Sequence, residues 1–266
     1  MSAILPALEA ETPMRPPSKL LLLSEWRWIY ELSLSLATFP ALATAKKGDG
    51  HPVLVLPGFL TGDSSTYLLR RFLALQNFEP FKWELGRNLG GVYSMRKKLR
   101  ARLLAIREET GRRVSVLGWS LGGVYARDLA LAMPDDVRYC ITLGSPFTSD
   151  LAATNAGHLY EQLSGESLAT VTAIDRTMLA GPLPMPTASF YTRTDGIVNW
   201  HLSRVVEDAH SENVEVLASH LGLGVNPAVL WGVADRLAQA EGTFHAFDRS
   251  GPYAFAYPHH ADGDDR

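Results

Sequence analysis

Apolar positions along the chain cluster into short runs, some broken by one or more polar residues, separated by longer stretches in which they recur every three or four residues. The runs lie near residues 51–59, 81–85, 114–119, 137–143, 187–192 and 214–217. Runs of that length, rich in Val, Leu and Ile, read as strands buried on both faces. Between them, residues 64–76 place Tyr67, Leu68, Phe72 and Leu75 on one helical face, and residues 92–109 form a basic amphipathic helix that Gly111 stops. A helix-forming run follows Leu121, residues 150–180 are helix-prone, and Asn226 and Pro227 open a last helix reaching to about 240. Strands alternating with helices predict an α/β fold: a mostly parallel central sheet of about six strands with helices on both faces.

The two ends depart from this rhythm. Residues 1–17 carry four prolines and read as a loose arm, and residues 259–266 read as a disordered tail. Tyr253, Phe255 and Tyr257 alternate, as in a short strand or an extended strap. Residues 18–45 form a mostly apolar helical segment that Ser18 is placed to cap. Glu25, Arg27 and Glu31 interrupt it too early for a membrane span of about 20 apolar residues. The uncharged stretch 32–42 has the make-up of a signal-peptide core, but the acidic residues ahead of it stand against that reading. The segment is read as a helix packed on the domain, with contact to a lipid surface as the sharper alternative.

Composition narrows the class. With 266 residues, 46% hydrophobic and 20% charged, the chain fits a single α/β domain. A net charge of −3 makes nucleic acid an unfavourable partner. One cysteine, Cys140, sits inside an apolar run; it forms no internal disulfide and fits a cytoplasmic protein. No metal or cofactor is expected.

The chemistry centres on one corner. Gly118, Ser120 and Gly122 make G-x-S-x-G between an apolar strand and a helix, the pattern of a nucleophile elbow. A serine hydroxyl needs a base during attack, and the base an oriented carboxylate. Asp195 follows the fifth strand, and His220 follows the sixth on a glycine-rich loop, so the chain order is Ser, Asp, His. Of eight histidines, His51, His158 and His201 lack a preceding strand end, His210 precedes its strand, and His245, His259 and His260 lie in the tail. Asp150, after the fourth strand, remains the alternative acid. The backbone amides of Phe59 and Leu121 are placed to receive an oxyanion, with Phe59 and Trp119 as substrate-contacting side chains.

Pro57-Gly58-Phe59, Gly118-Trp119-Ser120-Leu121-Gly122-Gly123, Leu143-Gly144-Ser145-Pro146, Thr194-Asp195-Gly196-Ile197-Val198 and the His220 loop together resemble the α/β-hydrolase superfamily, across residues 51–240. Within it they look like bacterial serine esterases and lipases of the triacylglycerol-lipase kind. Two departures stand out: Pro57 begins the oxyanion loop in place of His-Gly, and Ser145-Pro146-Phe147 replaces Thr-Pro-His. The resemblance implies hydrolysis of carboxylic esters with an apolar acyl chain, and a small cap over 150–186. The same triad serves acyltransferases, thioesterases and lactonases. A non-catalytic surface-binding protein with a silent elbow is the rival from another class. Oligomeric state is not legible.

Overall fold

The structure, a computed structural model, describes residues 14–148, 153–165 and 179–258. Its centre is a six-stranded sheet in the order β2-β1-β3-β4-β5-β6, with every neighbouring pair parallel. The strands are β1 Pro52–Leu56, β2 Glu79–Phe81, β3 Val114–Trp119, β4 Val137–Leu143, β5 Thr187–Tyr191 and β6 Ser211–Glu215. β1, β3, β4 and β5 are buried along their whole length, as strands covered on both faces are, with the polar Ser115, Arg138, Thr142, Thr187 and Ser189 buried among the apolar residues. One face is covered by α5 (Val92–Thr110) and α6 (Leu121–Ala132). The other carries α4 (Tyr67–Leu75) and the last helix, α8 (Pro227–Leu237), with the N-terminal segment beside them. The chain leaves β1 toward β2 and returns to the other side of β1 for β3. Strand order therefore reverses between β1 and β3, and a parallel sheet opens a crevice at the carboxyl ends of such a pair.

The edge strands differ from the expected ones. β2 lies at 79–81 rather than 81–85, because the amides of Trp83 and Glu84 donate to the Asp63 carboxylate (3.1 and 3.3 Å) and turn the chain off the sheet. β6 lies at 211–215 rather than 214–217. Its polar residues are matched individually: Asn213 brackets the Val205 peptide, Glu212 pairs with Arg236, and Glu215 accepts from Tyr191 and Arg193. Hydropathy alone misses a strand of that kind. The aromatic tail is a 3₁₀ turn at Ala254–Ala256 rather than a strap; it buries Tyr253 and Tyr257, and the Tyr257 hydroxyl donates to the Ala228 carbonyl at 2.7 Å.

Residues 18–45 form α1 (Lys19–Ser24), a 3₁₀ turn (Glu25–Arg27), α2 (Trp28–Ala37) and α3 (Phe39–Leu42), not one helix. Ser18 caps α1 through the Leu21 amide, as its position suggested. The burial is inverted: Glu25, Glu31 and Ser35 face inward, while Leu20 (79% exposed), Leu23, Trp26 (71%), Tyr30 and Leu36 face outward. Among the described residues no helix is long and apolar enough to cross a membrane. Within the expected cap, α7 (Gly157–Ser164) is described; the remaining cap residues Leu168, Val171, Ile174 and Met178, the arm at 1–13 and the tail at 259–266 lie outside the described residues.

Candidate active site

Ser120 is held by its backbone before any partner acts on it. It joins β3 directly to α6 at φ 53°, ψ −124°, a region that a residue with a side chain adopts only under constraint. The flanking glycines make the corner possible. A Cβ on Gly118 would lie 2.1 Å from the Gly122 carbonyl oxygen, and one on Gly122 would lie 2.3 Å from the Leu56 oxygen. Ser120 lines two cavities together with Phe59, from the loop that follows β1.

His220 brings the remaining chemistry to it. Its Nε2 stands 3.0 Å from Ser120 Oγ, and its Nδ1 stands 2.6 Å from Asp195 Oδ2. The other Asp195 oxygen accepts from the Ile197 and Val198 amides at 2.8 and 2.7 Å, which fixes the carboxylate plane. With Asp195 accepting at Nδ1, the neutral ring carries its proton there and leaves Nε2 free to accept from Ser120. Burial works against a charged ring, but the Asp195 charge and hydrogen bond, and then the charge of Glu25, outweigh it. The His220 pKa is accordingly raised above the ordinary imidazole value. Gly144, at φ 55°, leaves the space for this pair: a Cβ there would meet His220 Nδ1 at 3.1 Å and Asp195 Oδ2 at 3.3 Å. Asp150 lies outside the described residues.

Phe59, Ser120 and Leu121 line one cavity. Leu121 opens α6, and first-turn amides have no acceptor within their own helix. The loop bearing Phe59 is pinned by Asn88, a fully buried residue that sequence reasoning passed over. The Asn88 side chain donates to the Pro57 carbonyl (2.9 Å) and accepts from Tyr125 (3.1 Å) and the Gly90 amide (3.1 Å). Its backbone meanwhile pairs with Leu60 and Thr61 at 2.7 Å each. A polar residue among the glycines at 86–91 was the available signal.

Two apolar cavities flank the serine. One of about 40 Å³ is walled by Leu121, Pro146 and Tyr160, and one of about 230 Å³ by Leu159, Leu221 and His220; Phe59 lines both. Trp119 reaches only the larger cavity and is otherwise a core residue, its indole N–H donating to the His220 carbonyl at 3.1 Å.

A second serine–histidine–aspartate chain sits at the opposite ends of the strands. Ser115 Oγ lies 2.9 Å from His51 Nε2, and His51 Nδ1 lies 2.7 Å from Asp49. Ser115 lies within β3 with no strain, and both it and His51 are wholly buried, so no substrate reaches them. The comparison isolates what distinguishes Ser120: a strained corner, a cavity and a strand end. Cys140 is buried in β4, where burial pushes its thiol up to about 12 and leaves it unreactive. Among the described residues, no cluster of three or more His, Cys, Asp or Glu is placed to hold a metal ion.

No protein-family model matches the sequence, and no curated protein does. Solved structures do match in shape. Lipase B of Aspergillus fumigatus superposes with a TM-score of 0.57 at 18% identity, over 74% of this chain and 53% of its own. This chain thus spans about half the length of that protein. An alpha/beta superfamily hydrolase of Oenococcus oeni matches with a TM-score of 0.53 at 16% identity, covering 71% of this chain and 91% of that one. The mature form of a Bacillus licheniformis lipase gives 0.53 at 17%, covering 74% and 94%. The fold is the α/β-hydrolase fold.

Proposed function

We propose that this α/β-hydrolase fold carries a serine hydrolase acting on carboxylic esters through an acyl-enzyme on Ser120. One observation carries the reading: His220 bridges a strained, cavity-facing Ser120 and a buried Asp195 at 3.0 and 2.6 Å. In this mechanism Ser120 Oγ attacks the ester carbonyl while His220 Nε2 takes its proton. Asp195 holds the ring in the correct tautomer and stabilises the imidazolium that forms. The amides of Phe59 and Leu121 receive the oxyanion as charge develops. The proton then passes from His220 to the leaving alcohol, and water repeats the cycle on the acyl group. The apolar walls of both cavities favour an ester with an apolar acyl chain.

The outer face of the N-terminal segment belongs to the same reading. Its backbone packs directly on the acid loop, where a Cβ on Gly196 would meet the Leu21 oxygen at 2.3 Å. Leu20, Leu23, Trp26 and Tyr30 are exposed on this segment, whose Glu25 holds the amide of Leu221, a residue that lines the larger cavity. The occupant assigned to that face is an ester-rich lipid surface, onto which Trp and Tyr anchor well.

The test is turnover of a short-chain p-nitrophenyl ester. The protein releases p-nitrophenol, and Ser120→Ala lowers kcat by about four orders of magnitude or more. Equal turnover in the variant removes Ser120 from the mechanism.

A further inference from the structure

The three charges that interrupt the apolar N-terminal segment all reach the loops that carry the acid and the base. Glu25 is 3% exposed, and its partners among the described residues are three backbone amides. Its Oε1 accepts from Gly196 N at 2.7 Å and from His220 N at 3.1 Å, and its Oε2 accepts from Leu221 N at 2.8 Å. Gly196 directly follows Asp195, so a single carboxylate grips the chain beside the acid and at the base itself. Arg27 spans the same gap one layer out, donating to the Thr194 and Ala218 carbonyls at 2.7 Å each. Glu31 takes the Ser219 amide at 2.7 Å and the Asn226 side chain at 2.8 Å.

We propose that Glu25 is a positioning residue for the Ser120–His220–Asp195 relay, holding the acid loop and the base loop in register from outside the sheet. The inference rests on the reading of those three residues as a triad. Its physical basis is that hydrogen bonds to an ionised carboxylate are short and strong, and three of them converge on one rigid side chain. The loops leave different strands, β5 and β6, so their spacing is not set by one continuous element. Burying a carboxylate is unfavourable unless its hydrogen bonds are complete, and here the amides of both loops complete them.

Close packing supports the same reading. A Cβ on Gly222 would fall 2.1 Å from Glu31 Oε2, so the base loop is cut to admit this segment. The charge matters as well as the geometry. The groups facing His220 are Asp195 and Ser120 across the ring and Glu25 at its amide; Glu31 lies beyond, with Arg27 Nε 3.8 Å from it as the counter-charge. Glu25 therefore adds a second anion to the field that stabilises the imidazolium formed on attack.

The experiment compares Glu25→Gln and Glu25→Asp with the unmodified protein in ester hydrolysis across pH, with labelling of Ser120 by a fluorophosphonate. Glu25→Gln keeps the shape but loses the charge and turns a donor toward the amides. Its kcat falls by about tenfold or more with KM nearly unchanged, and the acid limb of kcat/KM moves to lower pH. Glu25→Asp restores the charge on a shorter stem and brings the acid limb back toward its original position, with kcat still reduced several-fold. An acid limb that stays in place in Glu25→Gln overturns the proposal. If Glu25→Gln does not fold, Glu25→Asp carries the test, and an unchanged kcat in it overturns the proposal. Failure of the triad reading looks different, because Ser120 of the unmodified protein then takes no label.

Discussion

At the scale of single residues, the proposed chemistry rests on side chains whose neighbours leave them little freedom. Asp195→Asn should lower kcat by about four orders of magnitude with little change in melting temperature, since an amide cannot favour the same tautomer or stabilise the cation. The raised His220 pKa has a definite sign. The ring stays protonated, and unable to act as base, to a higher pH than a free histidine. The acid limb of kcat/KM should therefore lie above about 6.5, and a limb below that value contradicts the electrostatics described here. Gly144→Ala tests the packing between acid and base. It forces a side chain to φ 55°, at a penalty of about 1–2 kcal/mol, and pushes on Leu223 and the His220 ring. Calorimetry should show the loss of stability and ester turnover a loss of rate.

At the scale of elements, the central strands and their end loops were legible because each link has a local cause. β4 matches its run residue for residue, and Ser120, Asp195 and His220 follow the ends of β3, β5 and β6 in chain order. What was not legible depends on contacts distant in sequence. β6 is polar apart from Val214, and the partners of its polar residues lie at 191, 193, 205 and 236, which no periodicity reveals. The N-terminal segment carried a misleading signal. Glu25, Arg27 and Glu31 read as interruptions of an apolar helix, whereas Glu25 and Glu31 face inward and the half-buried Arg27 bridges the Thr194 and Ala218 carbonyls. Asn88 escaped for the same reason, since its value lies in pinning the loop of Phe59. Asn88→Ala should leave the Pro57 carbonyl without its donor, costing about 1–3 kcal/mol, and reduce kcat more than it alters KM. Thermal melts paired with steady-state kinetics check both parts.

At the scale of the whole molecule, the sheet separates two similar hydrogen-bonded chains and gives them opposite duties. The Ser120 chain opens to the crevice, and the Asp49–His51–Ser115 chain locks the other end. Burial, and after it the Arg138 cation, hold the His51 pKa down at about 4 against the pull of Asp49. A histidine that stays neutral in the fold but protonates near 6.5 when unfolded draws stability away as pH falls from about 6.5 to about 4. The loss is on the order of 3 kcal/mol. Urea unfolding across that window should show the decline, and His51→Gln should flatten it.

In the proposed mechanism Ser120, and not Ser115, is the nucleophile, activated by His220 and Asp195. Fluorophosphonate labelling of the intact protein, followed by mass mapping of the modified peptide, addresses it directly. One adduct is expected, on Ser120, abolished by Ser120→Ala and strongly slowed in Asp195→Asn. An unlabelled Ser120 in folded protein, or an adduct at another serine that persists in Ser120→Ala, would contradict it.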